Sequence, residues 1–473
     1  MPTPTQAVSD SAIQNLLFEE VHPVLLDAIN IRSVERKMLD VKKAPVSGKY
    51  YRLDQLIGGN FRLEGRPEGG YLPGQNPSAA FQDQAAGLVT MEMRFKRRFL
   101  YSTIEFTGPM ENAPKTSSGG YDKLSAIVME QTVKAFPEMV SSKWARGQFA
   151  PLGQIAANGV SGNTITLVAA NAPATAAVSY PWAGNRFFRE GMVLDATSST
   201  SCLAALRTGA TDMGRRVTAK SGDGTAPTLT MQDITGSAWA AGDLLYPMGE
   251  RASTAISSQA SYEDNVYSTQ GIMDAIANGS DSLYAPLYYG NALVSSNRIL
   301  QAHQITNTNN TDLTVNMLNQ LISLMYNDDL GGEEPDFFYT TLDVYRQFAK
   351  PFTTMSNFAT NNPARYQNPG KGFTPTVGAS GIEVNNIGTT GSKKFMVSPF
   401  APHYRCYAIR KDSLMMLEDQ DVGIMSDDGL KLRQIPGTDM WHVAWKWYCS
   451  GVVCLQPRRN GLITGLVGDH NNA

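Results

Sequence analysis

Few residues in this chain are of a type and spacing to do chemistry, and they are dispersed. The five histidines (His22, His303, His403, His442 and His470) stand in different regions, and no two have the spacing of metal ligands. Of the four cysteines (Cys202, Cys406, Cys449, Cys454), the nearest two have four residues between them and no second pair nearby. Free buried thiols of a reducing compartment are therefore expected rather than a zinc site. A Ser–His–Asp set assembles in space and cannot be excluded by spacing, but there is no G-x-S-x-G elbow. NPGKGF (Asn368–Phe373) imitates a phosphate loop without its upstream glycine or the hydroxyl residue after Lys, so it is a turn. EDQDVGIMSDDG (Glu418–Gly429) puts Gly423 where a calcium ligand should stand and has no closing glutamate. Neither a catalytic residue nor a cofactor is expected. A long chain without a catalytic constellation points to a function carried by its surface.

Composition narrows the class. The 473 residues allow two to four domains. Charged residues make up 18%, few enough to suit a chain with much surface buried between subunits, though also a large enzyme. A net charge of −3 argues against a protein that binds nucleic acid by neutralising many phosphates. The opening MPTPTQAVSD has neither a charged nor an apolar leader region, so no secretory signal is expected. No apolar run reaches the roughly 18 residues of a membrane span.

The elements that position these residues follow from periodicity. Ile13, Leu16, Leu17, Val21, Leu25 and Ile29 predict an amphipathic helix over residues 9–31, kinked at Pro23, that docks on a neighbour or folds back. Residues 48–108 hold many Gly and Pro and predict an extended, two-stranded excursion that must lie on something to be stable. On its return strand, Met91, Met93, Phe95 and Phe99 share one face, and Arg94, Lys96 and Arg98 the other. That basic row either keeps an edge soluble or docks on an acidic patch of a neighbour.

A helix is expected over residues 120–148, bent at Pro137, with Leu124, Ile127, Val128, Ala135, Met139 and Val140 as its apolar stripe. Five short Gly-punctuated strands then predict a small barrel or sandwich: TITLV (164–168), GMVLDA (191–196), RRVTA (215–219), TLTMQ (228–232) and AGDLLYPMG (241–249). Leu318, Leu321, Ile322 and Met325 give one face of a helix over 312–326, capped by Thr311 or Asp312. DFFYTT (336–341) is strand-like and leads to a short helix, and 351–391 should be mostly loop. Near the end, Trp441, Val443, Trp445 and Trp447 alternate with polar or small residues in a strand expected to be central to a sheet.

This order of elements, with FFREGMVLDA and AGDLLYPMGE in the β module and the closing GVVCLQPRRNGLITGL (451–466), resembles the major capsid proteins of tailed bacteriophages. The resemblance implies an α+β chain of the Hong Kong 97-type shell fold. Its parts would be an N-terminal arm (1–47), an extended loop (48–108), a spine helix and the start of a peripheral domain (109–154), and an inserted β domain (155–250). A peripheral return (251–300), an axial domain (301–440) and closing strands with a tail (441–473) complete it. The implied function is a structural protein that self-assembles into pentamers and hexamers of an icosahedral head around double-stranded DNA. It would be assembled in the host cytoplasm and reside in the virion. Implied partners are other copies, a separate scaffolding protein, a portal protein and a decoration protein, with DNA held without sequence specificity and no membrane. The intersubunit contacts would include Leu16, Leu17, Val21, Arg94, Lys96 and Arg98. The loop tip from Asn60 to Gln84 has no lysine, so a covalent lysine–asparagine crosslink there is not expected. The competing readings are a nanocompartment shell of the same fold and a soluble hydrolase with an accessory β domain.

Overall fold

The computed structural model describes residues 34–43, 46–58, 89–107, 136, 138–169, 181–198, 201–209, 212–222, 226–278, 288–289, 292–295, 297–309, 311–328, 332–350, 376–378, 381–384, 393–425, 433–434 and 440–467. The expected N-terminal helix, the loop tip and the bend at Pro137 lie outside the described residues.

The long strand Met440–Cys454 organises the first sheet. It pairs antiparallel with Arg98–Thr107 along one edge and with Leu414–Ile424 along the other, where Arg433–Gln434 also pairs with its first residues. Asp40–Lys43 adds a parallel strand beyond Leu414–Ile424. The period-two pattern does what the sequence requires of it. Val443, Trp445, Trp447 and Cys449 are buried, while His442, Ala444, Lys446 and Tyr448 are half-buried on the opposite face. Trp144, from the helical stretch 138–146, meets Trp447 edge-on with ring centroids 5.1 Å apart, which seats that helix beneath the sheet. Val140 is buried as expected, whereas Met139 is exposed and does not belong to the stripe.

A second, seven-stranded sheet has the order His303–Thr306, Gly461–Thr464, Arg405–Ile409, Phe337–Thr340, Lys393–Val397, Gly381–Val384 and Thr376–Gly378. Strand alternation divides its residues between two cores. Phe338, Phe395, Cys406, Ala408 and Ile463 pack with the helix Val315–Tyr326, through Leu318, Leu321, Ile322 and Met325. Tyr339, Tyr407, Ile409 and Leu462 face the main core instead. The helix is capped by Thr314, whose side chain accepts from the Met317 N–H, rather than by Thr311 or Asp312.

Residues 153–247 include a closed six-stranded barrel, strand order Thr228–Met231, Thr164–Leu167, Gly153–Ser161, Leu244–Pro247, Val193–Ala196 and Arg215–Lys220. Closure settles the choice between barrel and sandwich, and adds the strand Gly153–Ser161 that the sequence pattern missed. Its register against Thr164–Leu167 shifts between Ile155 and Val160. A side chain at Gly159, inside that bulge, would stand 2.6 Å from the Ala156 carbonyl oxygen. The barrel lies in sequence between strands Arg98–Thr107 and Met440–Cys454, which pair with each other.

Candidate assembly surface

A strand that put Met91, Met93, Phe95 and Phe99 on one face would run unbroken through Arg97. The return segment of the extended excursion is instead two strands, Val89–Lys96 and Arg98–Thr107, in different sheets and broken at Arg97. The first pairs with Tyr50–Gly58 and the second with Met440–Cys454. Crossing Arg97 reverses the side-chain parity: Met93 and Phe95 are buried as expected, but Arg98 is buried and Phe99 is 50% exposed. The guanidinium of Arg97 lies over Tyr448 (4.5 Å to the ring centroid) and is ion-paired with Asp419, which holds the crossover in place.

This break separates the basic row. Arg94 is exposed and bonds within its own strand to Glu92, at 3.2 Å. That contact holds the Glu92 carboxyl below its usual range. The Lys96 ammonium donates to the backbone carbonyl of Glu263 and is 3.4 Å from the Asp264 carboxylate. Arg98 donates to the same carbonyl at 3.3 Å and lies over the Tyr262 ring. Burial pulls the Arg98 guanidinium down from its usual range. Tyr50 donates to the Glu263 carboxylate. The helix Gln259–Asn265 is thus the acidic seat on which the base of the excursion rests, within the same chain. Of the three cations, Arg94 is the one turned to solvent. Leu16, Leu17 and Val21 lie outside the described residues.

The same parity change creates an apolar surface that a single continuous strand would not have shown. Phe99 and the 55% exposed Tyr101 stand on the outer face of the first sheet, opposite Tyr448 and Lys446 of the neighbouring strand. Phe99 meets Tyr448 edge-on at 4.9 Å, and the Lys446 ammonium lies 5.4 Å from the Tyr448 ring centroid. The sequence pattern puts Phe99 on the face of Met93 and Phe95 and does not single out Tyr101; the signal that marks the change of face is the doublet Arg97–Arg98, which cannot both follow a two-residue period. Other large apolar side chains in contact with solvent are Leu324 and Tyr326 on the helix Val315–Tyr326, and Met213 and Met248 on the barrel.

Among the described residues, no three His, Cys, Asp or Glu side chains cluster as metal ligands. No described helix is long and apolar enough to cross a membrane. The buried ionisable groups work as struts. Asp328 receives Arg458 at 2.8 Å and His303 and Arg298 at 3.3 Å each, tying three segments beside the second sheet. Lys393 and Glu334 form a buried pair at 3.2 Å. A cleft of about 790 Å³ between helix 138–146 and the barrel is bridged by Arg189–Glu138 at 3.1 Å and by Lys143–Glu250.

Residues 250–467 match the family model described as SU10 major capsid protein. No curated protein matches the chain. Among solved structures, the capsid asymmetric unit of cyanophage A-1(L) is similar at 8% identity and a TM-score of 0.44, covering 92% of this chain and 93% of that one. The capsid of Myoviridae phage XM1 is similar at 10% identity and a TM-score of 0.36, covering 91% and 90%. The SrpI encapsulin complex of Synechococcus elongatus PCC 7942 gives 7% identity and 0.36, covering 91% and 86%. At such scores these likenesses carry no weight of their own, and the family match is the finding that discriminates.

Proposed function

We propose that this chain, which over residues 250–467 is of the major capsid protein family, is the repeating structural unit of a phage head. The chain is a major capsid protein, and its work is mechanical: to present surfaces that close a shell. The single observation that carries this reading is the family match, which spans the second sheet and the strand Met440–Cys454 that organises the first. It bears out the resemblance drawn from element order, and with it an α+β chain of the Hong Kong 97 type. Because the family is a shell protein of phages, the nanocompartment reading is the weaker one.

Finer parts of the reading are proposals supported by this assignment. The copies form pentamers and hexamers, with a separate scaffolding protein, a portal and a decoration protein as partners and packaged DNA held without sequence specificity. Assembly takes place in the host cytoplasm. The segments fall into the arm, loop, spine, inserted, peripheral and axial regions expected from the sequence order. Contacts between copies use Arg94, the N-terminal residues Leu16, Leu17 and Val21, and the exposed Phe99–Tyr101 face. Each contact can be modest because closure makes the set multivalent.

Size-exclusion chromatography with light scattering on the expressed chain, followed by negative-stain microscopy of the heaviest fraction, tests the proposal. Rings or closed shells are the expected result. A single species of about 51 kDa at all salt concentrations, with a scaffolding candidate co-expressed, would overturn it.

A further inference from the structure

Residues 34–43 join the body through two very short elements, the helix Val34–Met38 and the parallel edge strand Asp40–Lys43. A five-residue helix has no stability of its own, and a four-residue edge strand little. What seats them is a small set of side chains. Met38 and Leu39 are buried, whereas Asp40, Val41 and Lys42 are exposed. Arg36 bonds to the buried Glu418 carboxylate at 2.7 Å and lies over Trp447. The exposed Lys411–Asp40 pair at 3.1 Å adds little. The remaining anchor is Glu35, whose side chain is fully buried and reaches the second sheet. Its Oε1 accepts from the Tyr339 hydroxyl at 2.7 Å and from the Ser398 hydroxyl at 2.6 Å.

We propose that residues 34–43 form a detachable strap across the two sheets, with Glu35 as its pH-sensitive button, seated most firmly in acid and loosened as the pH rises. Among the described residues, the carboxyl is faced by the hydroxyls of Tyr339, Ser398 and Ser141, with Tyr407 behind Tyr339; the neighbouring Arg36 bonds to Glu418. Burial outweighs these hydrogen bonds and raises the Glu35 carboxyl above its ordinary value of 4.5. The sign follows from linkage. Below that ordinary value both seated and released forms are protonated and the seat is at full strength. Above it the released form ionises freely while the seated form resists, so the seat weakens until the pH passes the raised value, and levels there. This strap is independent of the shell reading, since it rests only on contacts within one chain.

Trypsin sites at Arg36, Lys37, Lys42 and Lys43 lie inside the strap and report its release. Brief digestion of the full chain from pH 5 to 9, read by mass spectrometry, compares the wild type with Glu35→Gln, which keeps an acceptor but cannot ionise. The expected ratio of wild-type to variant cleavage in 36–43 climbs roughly tenfold per pH unit before levelling, while cleavage elsewhere keeps a constant ratio. If Glu35→Gln fails to fold, the wild-type strap is compared instead with a free peptide of residues 34–43, and the same climb is expected. A flat ratio across the range overturns the proposal, as does a climb shared equally by the whole chain.

Discussion

Gly451 stands where the strand Met440–Cys454 is approached closely by the backbone of Gln270. Its φ is +95°, and a side chain there would stand 2.3 Å from the Gln270 carbonyl oxygen, inside the bulge where the strand Met440–Cys454 shifts register against Leu414–Ile424. At Gly147, φ is +99° and a side chain would meet the Asp274 carboxylate, which caps the segment by accepting from the Gln148 N–H at 2.7 Å. Either Gly→Ala change combines an unfavourable backbone with a clash against groups that cannot withdraw. A loss of about 2–4 kcal/mol is expected in urea unfolding. His303 makes a second residue-scale prediction. Burial, with Arg458 adding to it, holds its imidazole below the ordinary 6.5 despite the nearby Asp328 carboxylate. The folded chain therefore resists the proton that the unfolded chain accepts, so stability falls as pH drops from about 7 through that depressed value. His303→Gln should flatten this acid limb in thermal melts at pH 7.5 and 5. An unchanged difference between the two pH values would remove His303 from the account.

Elements show why some of the fold could be read in the sequence and some could not. The helix Val315–Tyr326 was legible because Leu318, Leu321, Ile322 and Met325 keep a helical period, and all four are buried. Leu318→Ala should cost about 3 kcal/mol and Thr314→Ala about 1 kcal/mol, both measured by chemical denaturation. Equal costs would mean that the helix end stabilises the chain as much as its buried face does. Met440–Cys454 was legible for the same reason at period two. The barrel was legible as separate strands, because Gly and Ser turns bound them, but its closing strand Gly153–Ser161 was not. That strand reads as GQIAANGVS, with small and polar residues where a half-buried strand should alternate, because a bulge at Gly159 interrupts its pairing. The Arg97 break was hidden for a different reason. Local periodicity carries no information about which distant strand a segment will join, and Val89–Lys96 and Arg98–Thr107 join partners 31 to 46 residues before and 333 to 351 residues after them. The exposed aromatic face came into view only with that pairing.

At the scale of the whole molecule, function turns on what the exposed aromatic face is for. Phe99 and Tyr101 sit on the strand Arg98–Thr107, which pairs along one side with Met440–Cys454. Their rings contribute nothing to the buried core, since Arg98 and Cys449 occupy the inward positions next to them. In a shell protein, solvent-facing aromatic rings are the side chains that deliver most contact energy per residue when another copy covers them. The double variant Phe99→Ser and Tyr101→Ser therefore separates folding from assembly. Its circular dichroism and its unfolding midpoint should stay close to wild type, because surface substitutions shift stability by about 0.5 kcal/mol or less. Its light-scattering profile should move from shells and rings towards single chains, and Arg94→Glu should act in the same direction if the adjoining strand lies in the same contact. Normal shells from the double variant would show that copies meet elsewhere, leaving the outer faces of the Val315–Tyr326 helix and the barrel, where Leu324, Tyr326, Met213 and Met248 are exposed, as the surfaces to vary next. A variant that loses its folded signal altogether would instead show that these rings stabilise the chain itself, which their exposure argues against.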